Sequence, residues 1–197
     1  MNHPLKIGLT GGIGSGKSYV ASVLEKMGFP VFYSDDEAKK MVRSNIELIQ
    51  DIEKIIGKKI HSENNQLDKK LLAQELFSHS EKRTKVNELV HPLVRKQFEN
   101  WSKIQDSSLV FNEAAILFET GAYLNFDAIV LVCASFETKL ARIQNRDGSS
   151  KEEVIARMAS QWRDDEKLKY KPYVIQNDEN QPLLIQIESL VQKLKEI

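Results

Sequence analysis

A glycine-rich run directly after a short apolar segment constrains the fold of this chain more than any other feature. The run is Gly11-Gly12-Ile13-Gly14-Ser15-Gly16-Lys17-Ser18, and it satisfies the pattern G-x-x-x-x-G-K-[ST]. The apolar segment, residues 5–10, predicts a buried strand, and the amphipathic residues 17–27 predict a helix. A strand, a glycine loop and a helix in this order predict a phosphate-binding loop in an α/β fold, because loop amides and a helix N-terminus together bind anions.

The residue types of this loop fit the phosphates of ATP. Glycines let the backbone approach a phosphate closely, Lys17 can reach the β and γ phosphates, and the Ser18 hydroxyl can bind Mg²⁺. A dinucleotide-binding loop is the alternative, since Gly12 and Gly14 begin a similar pattern. The third glycine of that pattern would fall on position 17, which is lysine, so the alternative fails.

Alternating strand and helix patterns extend the prediction to a parallel sheet flanked by helices. Further strands are predicted at residues 29–33, 108–111, 128–134 and 173–176, and a closing helix at residues 183–197. The block from about residue 37 to 104 is charged and mainly helical, so we expect a helical insertion there. Within the insertion, four apolar side chains at helical spacing predict a buried stripe: Leu71, Leu72, Leu76 and Phe77.

Composition excludes several classes of protein. The 197 residues contain 28 Lys and Arg and 28 Asp and Glu, so no overall field favours nucleic acid or an anionic membrane. The longest apolar stretch, residues 128–134, is far too short to span a bilayer, and the N-terminus has no apolar signal segment. The lone Cys133 allows no internal disulfide. We therefore expect a cytoplasmic protein that binds neither nucleic acid nor membrane.

Acidic residues after two predicted strands are candidates for chemistry. Asp35 follows the second strand, where a carboxylate could accept a proton from an attacking hydroxyl or bind a metal through water. An ordinary helix N-cap is an equally good interpretation, and Asp36 competes for either role. After the next strand, Asn112 or Glu113 could stand near the metal, or could only fix the loop.

Basic residues later in the chain are weaker candidates. Arg142 and Arg146 are four apart and share one face of a helix, so they could neutralise charge during phosphoryl transfer or could form a solvated face with Asp147. His91, followed by proline, predicts the start of a helix that also contains Arg95. A lone histidine in such a place is more often structural.

Taken together, the motifs resemble those of dephospho-coenzyme A kinases over nearly the whole chain. The chain departs from the family at Tyr33, where the family often has an acid, and at Ala115, where it has proline. The segments that carry the resemblance are residues 8–18, Asp35, residues 89–95 (Leu-Val-His-Pro-Leu-Val-Arg), Ile116-Leu117-Phe118-Glu119, Arg142, Arg146-Asp147-Gly148, Arg157 with Gln161, and Val174-Ile175-Gln176-Asn177.

The resemblance implies transfer of the ATP γ-phosphoryl group to the ribose 3′-hydroxyl of dephospho-coenzyme A, the last step of coenzyme A synthesis. It implies a nucleotide-binding core of residues 1–36, 105–141 and 168–197. Residues 37–104 would form the coenzyme-binding domain and residues 142–167 a lid. The partners would be ATP with Mg²⁺ and dephospho-coenzyme A, and we expect a monomer or small homo-oligomer.

The predicted site residues combine the loop chemistry with the resemblance. The sequence does not distinguish Asn112, Glu113 and Asp35 as the residue nearest the metal. The catalytic candidates are Asp35, Lys17, Arg142 and Arg146; those for ATP binding are Gly12, Ile13, Gly14, Ser15, Gly16, Lys17, Ser18, Tyr19 and Asn177; those for the acceptor are Asp35, His91 and Arg95; and Ser18 is the metal ligand.

Two other classes of protein share the loop. A nucleoside or nucleotide kinase of the same architecture would differ only in its acceptor, which the loop does not read. A GTP-dependent switch would need the guanine-reading motif Asn-Lys-x-Asp, which the sequence does not contain.

Overall fold

A parallel sheet forms the centre of the part of the molecule that carries the glycine-rich loop. The computed structural model describes residues 3–62 and 67–197. Within these residues the strands lie side by side in the order β2-β3-β1-β4-β5, and each neighbouring pair is parallel. The predicted α/β fold is confirmed. The strands are β1 (Leu5–Thr10), β2 (Val31–Tyr33), β3 (Leu109–Glu113), β4 (Ala128–Cys133) and β5 (Tyr173–Gln176).

Helices follow most of the strands, as the alternating pattern predicts. A 3₁₀ helix, Ala122–Asn125, lies between β3 and β4. Among the described residues, no helix is both long enough and apolar enough to cross a bilayer. The α-helices are α1 (Lys17–Lys26), α2 (Ser34–Ser44), α3 (Ile46–Ile56), α4 (Lys69–Ser78), α5 (Ser80–Lys103), α6 (Phe136–Asp147), α7 (Lys151–Met158), α8 (Asp164–Leu168) and α9 (Leu183–Leu194).

Two units divide the chain: Met1–Tyr33 with Ser102–Ile197, and Ser34–Trp101. We call the first the sheet unit and the second the helical unit. The sheet unit buries apolar strand residues such as Ile7 and Phe111 against α1 and α9. The interior strand β4 is a continuous apolar run, as is typical of a parallel sheet that is covered on both faces. The division into a core, a coenzyme-binding domain and a lid concerns function and stays a prediction.

Helix α5 corrects the prediction that a helix opens at His91. The helix runs from Ser80 to Lys103 with Pro92 inside it. Proline lacks the N–H that would bond one turn back, which normally ends or kinks a helix. Here a stripe at four-residue spacing continues through the proline, and burial of this stripe offsets the lost bond. Its members are Val86, Val90, Val94 and Phe98, each at most 5% exposed.

Helix α4 also differs from its sequence pattern. The predicted apolar stripe is only partly covered, and Phe77 is 69% exposed. The buried residue of this helix is instead Glu75. Periodicity therefore located the helix but did not identify the face that it buries, because lysine side chains from neighbouring segments neutralise the glutamate.

Candidate active site

The phosphate-binding loop connects β1 to α1 in a shape that only glycine adopts readily. Gly14 and Gly16 have φ values of 81° and 87°, in the left-handed region that other residues resist. A Cβ at Gly16 would also collide with the Asn177 side chain. Helix α1 starts at Lys17 with no acid in its first turn, so the positive end of its dipole is not neutralised there.

A cavity of about 210 Å³ lies against this loop. It is smaller than the pockets of roughly 300–1,000 Å³ that enclose whole ligands, so it suits a phosphate chain. Both predicted arginines reach it, and the structure thus brings them together with the loop. The lining residues are Gly12, Gly14, Gly16, Lys17, Ser18, Arg142, Ile143 and Arg146.

Glu113 is the acid that contacts the loop. It ends β3 in register with Leu9 of β1 and Tyr33 of β2, and it is 4% exposed. The Ser18 hydroxyl donates to Glu113 Oε1 at 3.0 Å, and Lys17 Nζ lies 3.4 Å from the same oxygen. The sequence left two roles open for Glu113, one beside the metal and one in fixing the loop. Its buried carboxylate contacts Ser18, the predicted metal ligand, and this position is compatible with both roles.

The donor set at this point fits a magnesium ion that arrives with a nucleotide. A hydroxyl and a carboxylate oxygen are hard ligands, which Mg²⁺ prefers. Within residues 3–62 and 67–197, no group of three or more His, Cys, Asp or Glu side chains could hold a metal by itself. Mg²⁺ commonly needs only one or two protein ligands, because phosphates and waters complete its shell.

Arg142 and Asn177 support the loop through its carbonyl oxygens. Arg142 Nη2 donates to Asn177 O at 2.9 Å, and Nη1 lies 3.4 Å from Ser15 O and 3.5 Å from Gly14 O. The Asn177 side chain donates to Ser15 O at 2.8 Å. These bonds satisfy carbonyl groups in a turn that has little regular structure, so both residues stabilise the loop.

Arg146 is more exposed than Arg142 and has a different partner. Its guanidinium forms a two-point bond with Asp147, at 2.7 and 2.9 Å, and Arg157 donates to the same carboxylate at 2.8 Å. Arg146 first, and then Arg157, lower the pKa of Asp147 to about 2. The predicted solvated ion pair with Asp147 is therefore present, on a residue that also lines the phosphate cavity.

The acids after β2 belong to the first turn of α2. Asp35 is partly buried, whereas Asp36 is exposed and accepts a bond from Lys39 at 2.8 Å. That bond lowers the pKa of Asp36, although slight burial opposes it. Lys39 therefore engages Asp36 at the surface, and the role of Asp35 as a base stays a prediction.

The acceptor candidates lie on α5 in the helical unit. His91 Nε2 is buried and, within the described part of the chain, has no hydrogen-bond partner. Burial, and secondly the charge of Arg95, lower the pKa of His91, so the ring is neutral near pH 7. A buried nitrogen without a partner is costly unless a ligand or water completes it. Arg95 is exposed.

Comparisons with known proteins agree on one family. The family model described as Dephospho-CoA kinase matches residues 5–182. A dephospho-CoA kinase of Bacteroides fragilis is 40% identical over 188 residues, which cover 95% of this chain and 91% of that protein.

The chain belongs to the dephospho-CoA kinase family.

Solved structures support this family assignment. A crystal structure from Thermus thermophilus has a TM-score of 0.83 and 34% identity, and it covers 100% of this chain and 99% of its own. The dephospho-CoA kinase of Campylobacter jejuni has a TM-score of 0.70 and 26% identity, with 97% of both chains covered. Dephospho-CoA kinases act at the final step of coenzyme A biosynthesis, and the chain is accordingly a kinase.

Several site details could not be predicted from motif chemistry alone. Gln161 accepts a hydrogen bond from the Ile13 N–H at 2.8 Å. Apart from its place in the family resemblance, an uncharged glutamine gives no indication in the sequence of a role at the site. Lys139 pairs with Asp164 next to Gly12, and neither residue is among those predicted from the sequence. Tyr19, a predicted ATP-binding residue, is 63% exposed.

Proposed function

We propose that this chain transfers the γ-phosphoryl group of ATP to the ribose 3′-hydroxyl of dephospho-coenzyme A. The family assignment supports the acceptor, and the geometry of the glycine loop supports the donor. In this proposal the loop amides and Lys17 hold the phosphates, while catalysis comes from positioning and charge neutralisation.

The contact between Ser18 and Glu113 carries the proposal. The buried carboxylate of Glu113 lies 3.0 Å from the Ser18 hydroxyl and 3.4 Å from the Lys17 ammonium. Hydrophobic packing does not explain a charged group at this position. Burying a charge is costly unless partners compensate it. Lys17 offsets part of this charge, and Ser18 and Glu113 would be the residues that hold a cation arriving with the phosphates, such as kinases use.

We assign the metal role to Ser18, with Glu113 beside it. Mg²⁺, when bound with ATP, would neutralise the charge that develops on the phosphate oxygens. Glu113 also keeps the Lys17 ammonium and the Ser18 hydroxyl oriented, because one oxygen faces both groups.

Asp35 is the proposed base. It lies two residues after Tyr33, which is in register with Glu113 at the end of β3. The carboxyl ends of parallel strands are where ligands bind in open α/β sheets. Asp35 would orient the 3′-hydroxyl and accept its proton during transfer.

The basic residues have separate proposed roles. Arg142 orders the loop through its carbonyls, and Arg146 neutralises charge on the transferred group after its bond to Asp147 loosens. Asn177 and Tyr19 lie by the nucleotide in this scheme. His91 and Arg95 would bind the acceptor, the first through its neutral ring nitrogen and the second through its charge.

The cellular setting belongs to the same proposal. A lone buried cysteine fits a reducing compartment, and we place the enzyme in the cytoplasm as a monomer or small homo-oligomer.

Replacement of Asp35 by asparagine tests the proposal. Asp35→Asn keeps size and hydrogen bonding but removes the base, so kcat with dephospho-coenzyme A should fall about 1,000-fold while the Kd of ATP stays within a factor of about two. Asp36→Asn is the matched control and should retain near-normal kcat.

Two results would contradict the assignment. Near-normal turnover by Asp35→Asn would remove Asp35 as the base. Wild-type enzyme that phosphorylates nucleosides or nucleotides but leaves dephospho-coenzyme A unchanged would remove the proposed acceptor.

A further inference from the structure

The connection between α7 and α8 contacts the phosphate-binding loop through one side chain. Gln161 lies in this short connection, and its Oε1 accepts the Ile13 N–H at 2.8 Å. Because a backbone N–H can only donate, the oxygen end of the amide must face the loop. The contact joins residues 148 positions apart in the sequence.

The Ile13 amide differs from its neighbours in the loop. Gly14 and Gly16 line the phosphate cavity, and Gly12 lines both this cavity and a neighbouring groove of about 760 Å³. Ile13 and Gln161 line the groove. An amide on the groove side must find another partner, since an unmade hydrogen bond is costly. Gln161 supplies that partner and thereby fixes the peptide plane between Gly12 and Ile13.

An ion pair between the buried Lys167 and the partly buried Glu119 holds the segment that contains Gln161. The next residue, Trp162, donates its N–H to Glu119 Oε1 at 2.9 Å. Lys167 Nζ lies 3.0 Å from the same oxygen, and its side chain is 0% exposed. A buried lysine paired with a carboxylate resists displacement, because separation would leave an uncompensated charge. The backbone next to Gln161 is therefore anchored independently of the loop.

We propose that Gln161 is a positioning residue for phosphoryl transfer. It holds the Gly12–Ile13 peptide from the groove side, so that the amides facing the cavity keep the orientation that the γ phosphate needs. Gln161 itself touches no phosphate in this scheme. Displacement of a reacting group by about 1 Å can cost on the order of a hundredfold in rate, so a fixed peptide plane matters for kcat. The proposal rests on the proposed function.

Removal of the acceptor oxygen at constant side-chain length tests this role. In Gln161→Met, we expect kcat with ATP and dephospho-coenzyme A to fall about tenfold. The Kd of ATP should stay within a factor of about two, because Ile13 lines the groove and the amides that line the phosphate cavity are kept. The Tm should stay close to that of the wild type. Gln192→Met, an exposed glutamine on α9, is the matched control and should behave as wild type.

Amide hydrogen exchange gives a readout that does not depend on turnover. In the enzyme without nucleotide, Ile13 N–H should exchange about tenfold faster in Gln161→Met than in wild type, since its hydrogen bond is lost. Gln161→Glu retains an acceptor oxygen, so it should keep the protection of Ile13 and a kcat above that of Gln161→Met.

Three outcomes would overturn the proposal: wild-type kcat in Gln161→Met, unchanged exchange of Ile13 in that variant, or a loss that appears wholly as weaker ATP binding. If the wild type fails to phosphorylate dephospho-coenzyme A, the proposed function fails, and the exchange measurement still supports or contradicts the contact on its own.

Discussion

Two glutamates, one in each unit, are equally buried and have very different surroundings. Glu113 and Glu75 are each 4% exposed. In the helical unit, Lys58 and Lys82 contact the two oxygens of Glu75 at 2.5 and 2.8 Å. In the sheet unit, the Ser18 hydroxyl and the Lys17 ammonium share a single oxygen of Glu113 at longer distances, 3.0 and 3.4 Å.

We propose that the difference separates a structural carboxylate, Glu75, from a functional one, Glu113. Lys82 also donates to the Ile56 carbonyl at 2.8 Å, so Glu75 connects α4, α5 and the end of α3 as a saturated ionic centre. Bonds from Lys58 and then Lys82 lower the pKa of Glu75 to about 2. The contacts of Glu113 are longer and share one oxygen, so in our proposal this carboxylate has capacity left for a cation that arrives with the nucleotide.

Of the two buried glutamates, the comparison predicts the larger loss of activity at Glu113. Glu113→Gln removes the charge but preserves the shape, so kcat should fall about 100-fold. The Tm should remain within a few degrees of the wild-type value. Mg²⁺ titration of the rate should require a higher concentration for half-maximal activity. A variant with normal kcat and normal Mg²⁺ dependence would remove Glu113 from the site.

The reverse pattern is expected at Glu75. Glu75→Gln leaves two lysines without their carboxylate, so the Tm at pH 7 should fall by roughly 10 °C. At a temperature where the variant is folded, its kcat should match the wild type.

The pH dependence sharpens this second prediction. Because the pKa of Glu75 is lowered on folding, its stabilising contribution is present above its ordinary pKa and is lost as pH falls toward the folded value of about 2. The Tm difference between Glu75→Gln and wild type should therefore shrink below pH 4.5. A difference that stays constant down to pH 2 would contradict the ionic explanation.

His91 provides a third and smaller test, because its buried Nε2 has no hydrogen-bond partner among residues 3–62 and 67–197. Burial and Arg95 lower its pKa from 6.5, so the unfolded chain takes up a proton first as pH falls, and stability is lost below about pH 6.5. The wild-type Tm should fall more between pH 7.5 and 5.5 than that of His91→Gln, by roughly 2 °C. Exposed His3→Gln is the control and should follow the wild type.

Sequence reasoning located the phosphate loop because its chemistry is local. The spacing from Gly11 to Ser18 fixes backbone shape and helix start within eight residues, and the structure has β1 and α1 at the expected places. Glu113 could be named only as one of three candidates, because its contact with Ser18 depends on strand register, and residues 95 positions apart meet there. Gln161 is even farther along the chain from its partner, 148 positions from Ile13. A single uncharged side chain gives no periodic pattern from which this contact could be predicted.

The helical unit was predicted less well for a related reason. Helix existence followed from apolar spacing, but Pro92 suggested a boundary that the stripe from Val86 to Phe98 overrides. The low helix propensity of proline is outweighed here by the burial of apolar side chains along the helix. In α4, two lysines from other segments, Lys58 and Lys82, determine that the face with Glu75 is buried. The sequence of the helix itself does not predict this.

The two edge strands of the sheet, β2 and β5, affect how readily the sheet could pair with another chain. β2 at one edge has three residues and β5 at the other has four. Unpaired strand edges are templates for joining other chains, and short edges are one way in which proteins limit this. A fold that places its longest strands, β1 and β4, inside the sheet keeps their backbone paired on both sides and leaves the short strands at the edges.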